Sequence, residues 1–556
     1  MFKKQNRADL SLATIFSEKV LKYFLVLFIA ICFSIAYFLS PIFETTNFIP
    51  INWFRLPYGF VLYILLLTIL VFAIKYYHQI ENTKFNNKDY KVSNKLLFLI
   101  SFIIFFLLGI FYLLIYYPGT GMYDTIAIIG NENSLGYAKQ HPWFYIIFIH
   151  FIVKIAKFFG GNYETALVLE SLFQIFCYSL LCSYLLVWLN KKNIKLIPLL
   201  LVFSIYAFSP ILNLYKIALF KDILFSIVLI AWTPILYDFV ETDGKILYSK
   251  KNFIFISILI LLSLLRNNGF YVTAFILLVL FIFCLFKKIK VFKQIIYLSL
   301  IFLSVILFNI CFEKINKIDH LFKETVGIPL QQIARTVVEN GNIAEYEMDF
   351  INIVIPIDFI KSKYDPYTVD TLKWRGSPIN NKFLNKNKIK FLKIWFDILL
   401  KNPKIYLKAH LYNTYGFWSI NNQKIKDRYD AIYAGILENF FVENNIHIKS
   451  IFSTKVQTIL EDITYEATND SLNEGLVFWS FILLISVLII IKDTKYLIIA
   501  SPIFGGWLTL MVATPVAFQY RYILFISLSL PLFIGIILLP FTGKKNDNQN
   551  SQNLAH

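Results

Sequence analysis

Long apolar runs alternate with short polar breaks along almost the whole chain. The runs reach about 20 residues, the length needed to cross the hydrocarbon core as a helix. Backbone polar groups have no water to bond to there, so a chain of this pattern spans as α-helices. A β-barrel would show short alternating segments instead. We place the spans near Lys19–Leu39, Leu56–Tyr77, Leu96–Tyr117, Tyr163–Leu189, Leu196–Phe208, Ile217–Val240, Phe253–Leu265, Phe270–Phe286, Gln294–Phe312, Leu476–Ile491, Leu497–Thr514 and Tyr522–Pro540. Leu196–Phe208 and Phe253–Leu265 are short for spans. Pro41 is read as ending the first. The expected fold is an all-α polytopic membrane protein of about twelve transmembrane helices.

Loop charge gives this pattern an orientation. The N-terminus, the loop around Lys84, Lys88 and Lys91, and the breaks Asp243–Lys251 and Lys287–Lys293 are basic, hence cytoplasmic. The apolar stretch Trp143–Phe159 is short and interrupted by His150, Lys154 and Lys157. It is read as a helix on the outer leaflet, which keeps Lys191, Lys192 and Lys195 inside. Both termini then lie in the cytoplasm of a bacterial plasma-membrane protein. The implied division is an N-terminal membrane module 1–312 with a first outer loop 118–162, an extracytoplasmic α or mixed insertion 313–473, a C-terminal membrane module 474–541 and a disordered cytoplasmic tail 542–556. The first apolar run has no small-residue cleavage site and reads as a retained signal-anchor.

Composition supports the class and removes some alternatives. The 556 residues are 58% hydrophobic, with mean hydropathy +0.62. The net charge of +18 collects in loops rather than on one basic face, so membrane topology explains it and nucleic acid is not expected as a partner. Cys32, Cys177, Cys182, Cys284 and Cys311 lie in or beside apolar runs and suggest neither a disulfide framework nor a metal cluster. No P-loop, His-Glu-x-x-His or Gly-x-Ser-x-Gly motif is present.

The chemistry is sought in the polar breaks. Tyr116–Phe144 carries Asp124 in a Gly-rich turn, Glu132, Lys139 and His141-Pro142-Trp143. Parity brings Lys216, Lys221, Asp222, Arg266, Asn267, Gln519, Tyr520 and Arg521 to the same outer rim. Each has a plain alternative: Asp124 as a turn residue, His141 as a cap, Lys221-Asp222 as a local ion pair, and Arg266 and Arg521 as snorkelling cations. Their convergence from separate loops suggests one shared site. Glycosyl transfer from a lipid-linked donor suits it. Lys139, Lys221, Arg266 and Arg521 would hold the leaving phosphate, and Asp124 would take the proton of the attacking hydroxyl. A divalent metal between Asp124 and Asp222 is the one cofactor left open. Tyr415-Gly416-Phe417-Trp418 is read as an aromatic belt, an interfacial anchor or a substrate-facing lip, and Lys390–Trp418 as amphipathic helices on the bilayer rim.

This order of parts resembles the GT-C superfamily of polyprenyl-phosphate-sugar-dependent glycosyltransferases, protein mannosyltransferases among them. Pro118-Gly119, Asp124, His141-Pro142, Lys221-Asp222, Leu265-Arg266-Asn267-Asn268-Gly269, Pro329–Arg335, Asn413-Thr414-Tyr415-Gly416 and Arg521-Tyr522 are more specifically similar to a group of uncharacterised Gram-positive multi-pass membrane proteins. The superfamily implies inverting transfer with Asp124 as base, a polyprenyl-phosphate-linked sugar as donor, membrane lipids around it and a cell-envelope acceptor. The pattern also draws in Gln331, Gln332, Arg335 and Tyr522 as substrate contacts. Asp124 is followed by Thr125 rather than a second acid, a departure from the better-known members. The competing readings are a flippase or transporter of lipid-linked saccharides and a non-catalytic envelope-assembly protein. A transporter should carry ionisable residues at mid-depth on broken helices. The spans look bare there, which favours the enzyme.

Overall fold

The computed structural model describes residues 2–44, 52–84, 92–121, 125, 128–129, 135, 140–286, 289–318, 320–374, 376–420, 452–459, 462 and 473–540, with side chains from Glu18 in the first stretch and to Ile80 in the second. The tail 542–556, expected from the sequence to be disordered and cytoplasmic, lies outside them. Among the described residues, ten helices are long and apolar enough to cross a membrane: Glu18–Phe43, Arg55–Ile80, Asn94–Ile115, Tyr163–Lys191, Lys221–Glu241, Asn268–Leu285, Phe292–Ile315, Glu474–Ile491, Thr494–Ala513 and Tyr520–Ile537. An eleventh arises if Leu196–Phe208 and Pro210–Lys216, bent by 55°, are one span. Lys251–Leu265 is apolar but shorter. The protein is an all-α polytopic membrane protein.

Its centre and edge differ in burial. The most apolar windows of Lys221–Glu241 and Tyr520–Ile537 are each 83% buried, against 17% for Arg55–Ile80 and Phe292–Ile315. The first two form the middle of the bundle, and the last two turn most of their apolar side chains outward. Phe24, Phe28, Leu65, Phe72, Leu107, Leu300 and Leu307 are exposed. Rings of exposed aliphatic and aromatic groups on many helices are stable against lipid, not water.

Pro41 does not end the first helix, which continues to Glu44. A proline one turn from a helix end removes a single bond. The carbonyls near that end are satisfied from far away in the chain, since the Tyr415 hydroxyl donates to Ser40 O and the Tyr367 hydroxyl to Phe43 O, each at 2.8 Å. Trp143–Phe158 is one helix packed on Tyr163–Lys191, with Phe151 and Phe158 exposed.

The insertion has its own apolar cluster, built from Val326, Leu330, Ile333, Phe350, Ile360, Leu372, Phe391, Ile398 and Tyr406 among others. Phe391, Ile394 and Ile398 of Lys388–Lys401 are buried in that core. Tyr415, Gly416 and Phe417 are also buried, at the seam with the bundle rather than in an exposed belt or lip. The Trp507 and Trp479 indoles donate to the carbonyls of Phe417 and Trp418 at 3.0 and 2.9 Å. Gly416 is required there, because a Cβ on it would lie 2.1 Å from Ala517 O.

Mid-depth is not bare. Leu196–Phe208 stops at Ser209-Pro210, where proline cannot continue the ladder. Asn213 Nδ2 closes the break by donating to the carbonyls of Ala207 and Ser209. Lys216 is fully buried, and its ammonium meets Asn213 Oδ1 at 2.6 Å, Phe105 O at 3.5 Å and the Tyr178 ring at 4.4 Å. Phe105 and Tyr178 lie near the middles of their spans, so Lys216 reaches into the bundle rather than staying in a rim loop.

Candidate functional site

The Lys221–Glu241 helix sets the site. Its first turn carries Asp222, and the strand just before it, Ala218–Leu219, pairs in parallel with Thr120–Gly121. That pairing fastens the first polar loop to the helix start. Thr125 reinforces it: its hydroxyl donates to Leu219 O at 2.7 Å and meets the Tyr145 hydroxyl at 2.8 Å. The Tyr145 hydroxyl donates on to Glu170 Oε1 at 2.8 Å. Asp124, Glu132 and Lys139 lie outside the described residues. Their neighbours Gly121, Thr125 and His141 all approach the residues just before or at the start of this helix, and Lys221 Nζ is 3.3 Å from His141 Nδ1.

Asp222 is 1% exposed and carries two arginines. Arg266 Nη1 is 2.7 Å from Oδ1 and Arg521 Nη1 is 4.0 Å from Oδ2, with the arginine side chains only 11% and 13% exposed. The pairing is one of charge, since neither carboxylate oxygen receives a hydrogen bond of good geometry. Both guanidiniums also lie over the Tyr522 ring, at 4.9 and 4.8 Å from its centroid, and Arg521 Nη2 donates to the Tyr522 hydroxyl at 3.1 Å. Arg266 stacks over Phe225 and Arg521 over Phe220. Aromatic faces hold a guanidinium without neutralising it.

Local sequence explains how the arginines arrive. Arg266 is extended, at the break between Lys251–Leu265 and Asn268–Leu285. The hairpin is so tight that a Cβ on Gly269 would sit 1.7 Å from Leu262 O. Asn268 Nδ2 donates to Thr509 Oγ1, whereas Asn267 is exposed. Arg521 lies in a short 3-10 turn held from the insertion: Val369 N–H donates to Pro515 O at 2.9 Å, Ala517 N–H to Tyr367 O at 2.8 Å, and Asn413 Nδ2 to Thr514 O at 2.9 Å.

The structure therefore brings together His141, Lys221, Asp222, Arg266, Arg521 and Tyr522. It does not bring Gln331, Gln332 and Arg335 to them. Gln331 donates to Asp365 O, Gln332 donates to Tyr406 O and accepts from Trp395 Nε1, and Arg335 bridges Glu339 at 2.8 Å under the Tyr412 ring. All three are buried within the insertion's own packing. Two further acids belong to the surroundings of the site. Asp370 lies within electrostatic reach of Tyr522 and 3.9 Å from Lys373. Glu170 is fully buried in the Tyr163–Lys191 span, where an acid inside an apolar run is itself a signal.

The charge balance decides what the site can take. Among the described residues, Arg266, Arg521 and the neighbouring Lys221 stand against Asp222 and the more distant Asp370, an excess of positive charge in a largely dry setting. Such a site favours an anion, above all a phosphate, which guanidiniums grip in bidentate fashion. It disfavours a divalent cation at Asp222, whose negative charge is already engaged. Among the described residues no group of three His, Cys, Asp or Glu side chains is arranged to hold a metal.

No curated protein and no solved structure matches the chain. A family model described as a family of unknown function, DUF6020, matches residues 128–553, well over half the chain and all of the described arginine cluster. On that match the chain belongs to the DUF6020 family.

Proposed function

We propose that this protein is a membrane glycosyltransferase that takes its sugar from a polyprenyl-phosphate carrier at the outer face of the membrane and passes it to a cell-envelope acceptor. The observation that carries the reading is the pair of largely buried guanidiniums sharing one carboxylate, beside the loop that holds Asp124. An acceptor hydroxyl attacks the anomeric carbon and its proton passes to Asp124. The bond from that carbon to the phosphate oxygen breaks, and the charge left on the polyprenyl phosphate is met by Arg266 and Arg521. The surrounding apolar helices supply a surface for the prenyl tail.

The test is sugar transfer by purified protein in nanodiscs with polyprenyl-phosphate-linked donors, read as release of polyprenyl phosphate. Release that Asp124→Asn abolishes supports the reading. No release from any donor would refute it.

A second reading, movement of lipid-linked saccharides across the bilayer, draws on the 55° break at Ser209 and on Lys216 at mid-depth, features that transporters place around a binding site. Donor reorientation in vesicles without sugar release would favour it.

A further inference from the structure

At the far end of the Lys221–Glu241 helix, about 24 Å along the axis from Asp222, lies a second charged site. A cavity of about 300 Å³ opens there, lined by Tyr184, Trp188, Lys191, Lys192, Asp238 and Lys251, with Val187, Ile235 and Ile254 forming its apolar wall. Its floor is Lys221–Glu241, which packs against both Tyr163–Lys191 and Lys251–Leu265.

The polar groups are organised around Asp238. Lys192 Nζ is 2.8 Å and Lys251 Nζ 3.4 Å from its carboxylate, and the Trp188 indole donates to it at 3.3 Å. Lys192 also lies 4.9 Å from the Tyr237 ring centroid. Three lysines against one aspartate leave the cavity positive. Asp238 is 13% exposed and holds two of them in place. Phe253 and Ile254 on the neighbouring span are exposed, so the cavity continues into lipid-facing apolar surface.

The geometry points to an anionic glycerophospholipid as the occupant: its phosphate between Lys192, Lys251 and Lys191, its glycerol beside Trp188, and an acyl chain along Ile235 and Ile254. Nothing in the glycosyl-transfer reading requires this site, and the two stand or fall separately. A headgroup ester and a free phosphate ester share the recognising chemistry. The apolar wall, continuous with the lipid-facing surface, selects the lipid.

Native mass spectrometry of the full chain, released from phosphatidylcholine nanodiscs containing phosphatidylglycerol, counts retained lipid. Retention of phosphatidylglycerol should exceed that of phosphatidylcholine and fall about five-fold for each lysine removed in Lys192→Gln and Lys251→Gln. Lys195→Gln, in the same loop but outside the cavity, should leave it unchanged. Ile254→Trp, which fills the cavity without altering charge, should lower it and keeps the test valid if a lysine variant folds poorly. Equal retention in parent and Ile254→Trp would overturn the proposal, as would a loss in Lys195→Gln matching that of the cavity lysines. Displacement of the lipid by soluble glycerol phosphate would overturn the choice of a lipid.

Discussion

Asp222 and Arg266 meet at 2.7 Å although they belong to different helix ends, and the same carboxylate lies 4.0 Å from Arg521. Removing the shared anion should therefore cost more than removing either cation. Asp222→Asn leaves two largely buried guanidiniums facing each other, and about 3–5 kcal/mol is the usual cost of breaking such a pair. Arg521→Gln leaves the 2.7 Å pair intact and should cost distinctly less. Thermal unfolding of the purified variants in one detergent checks the order, and a larger loss for Arg521→Gln would contradict it.

The tight approaches at Gly269 and Gly416 allow no side chain. A methyl group at Gly269 would stand 1.7 Å from a carbonyl oxygen, so Gly269→Ala should cost about 3 kcal/mol through displaced backbone. Gly160 has nothing within 4 Å of an added Cβ and only a left-handed φ of 75°, so Gly160→Ala should cost about 1–2 kcal/mol. Monodisperse yield and melting temperature separate the two. Arg266 is carried by the Gly269 hairpin, so the first variant should also lose whatever ligand binding the arginine cluster supports.

Acid should loosen the insertion in two steps. Burial holds the His410 imidazole below its ordinary range. Its folded pKa is depressed, so its contribution is complete above the unfolded value of about 6.5 and is lost as pH falls below it. Burial works to raise the Glu347 carboxyl, but bonds from Lys401, the Ala344 N–H and the Tyr346 hydroxyl outweigh it and leave the group below its ordinary range. Its contribution is complete above about pH 4.3 and is lost as pH falls further. Melting temperature against pH should show both limbs. His410→Gln should flatten the upper limb and Glu347→Gln the lower.

Thr125, Tyr145 and Glu170 form a buried chain that fixes the residue following Asp124. Tyr145→Phe cuts it while preserving the ring. If Asp124 is the base, the variant should lower kcat for sugar transfer by about ten-fold through misplacement and leave donor affinity within about two-fold. A change in affinity alone would assign the chain to binding instead.

Much of the bundle is legible in the apolar runs, because the length and composition of a span are local properties. Even the two runs flagged as short prove to be the structural exceptions: Leu196–Phe208 is half of a bent pair, and Lys251–Leu265 is the shorter apolar helix. Long-range pairings are less visible. The hydroxyls of Tyr367 and Tyr415 close the end of the first helix, and Tyr367–Val369 grips the segment before Arg521. No periodicity encodes those contacts. Its place just before a span puts Lys216 at the rim in the sequence, whereas the break at Pro210 and the length of its side chain carry its charge to mid-depth. Gln331, Gln332 and Arg335 resemble a binding motif in sequence, yet the amide nitrogens of the two glutamines and the Arg335 guanidinium are engaged inside the insertion. The sequence places Lys221, Asp222, Arg266 and Arg521 at one rim, and the sharing of the Asp222 carboxylate by the two arginines is what it does not display.

The central claim is that the two arginines on Asp222 hold a lipid phosphate. Equilibrium binding of polyprenyl phosphate to the purified protein, compared with Arg521→Gln, tests it most directly. The account predicts affinity weakened by about ten-fold or more in the variant, the usual worth of a charge-assisted contact in a dry site. Equal affinity in parent and variant, with both folded, would contradict it.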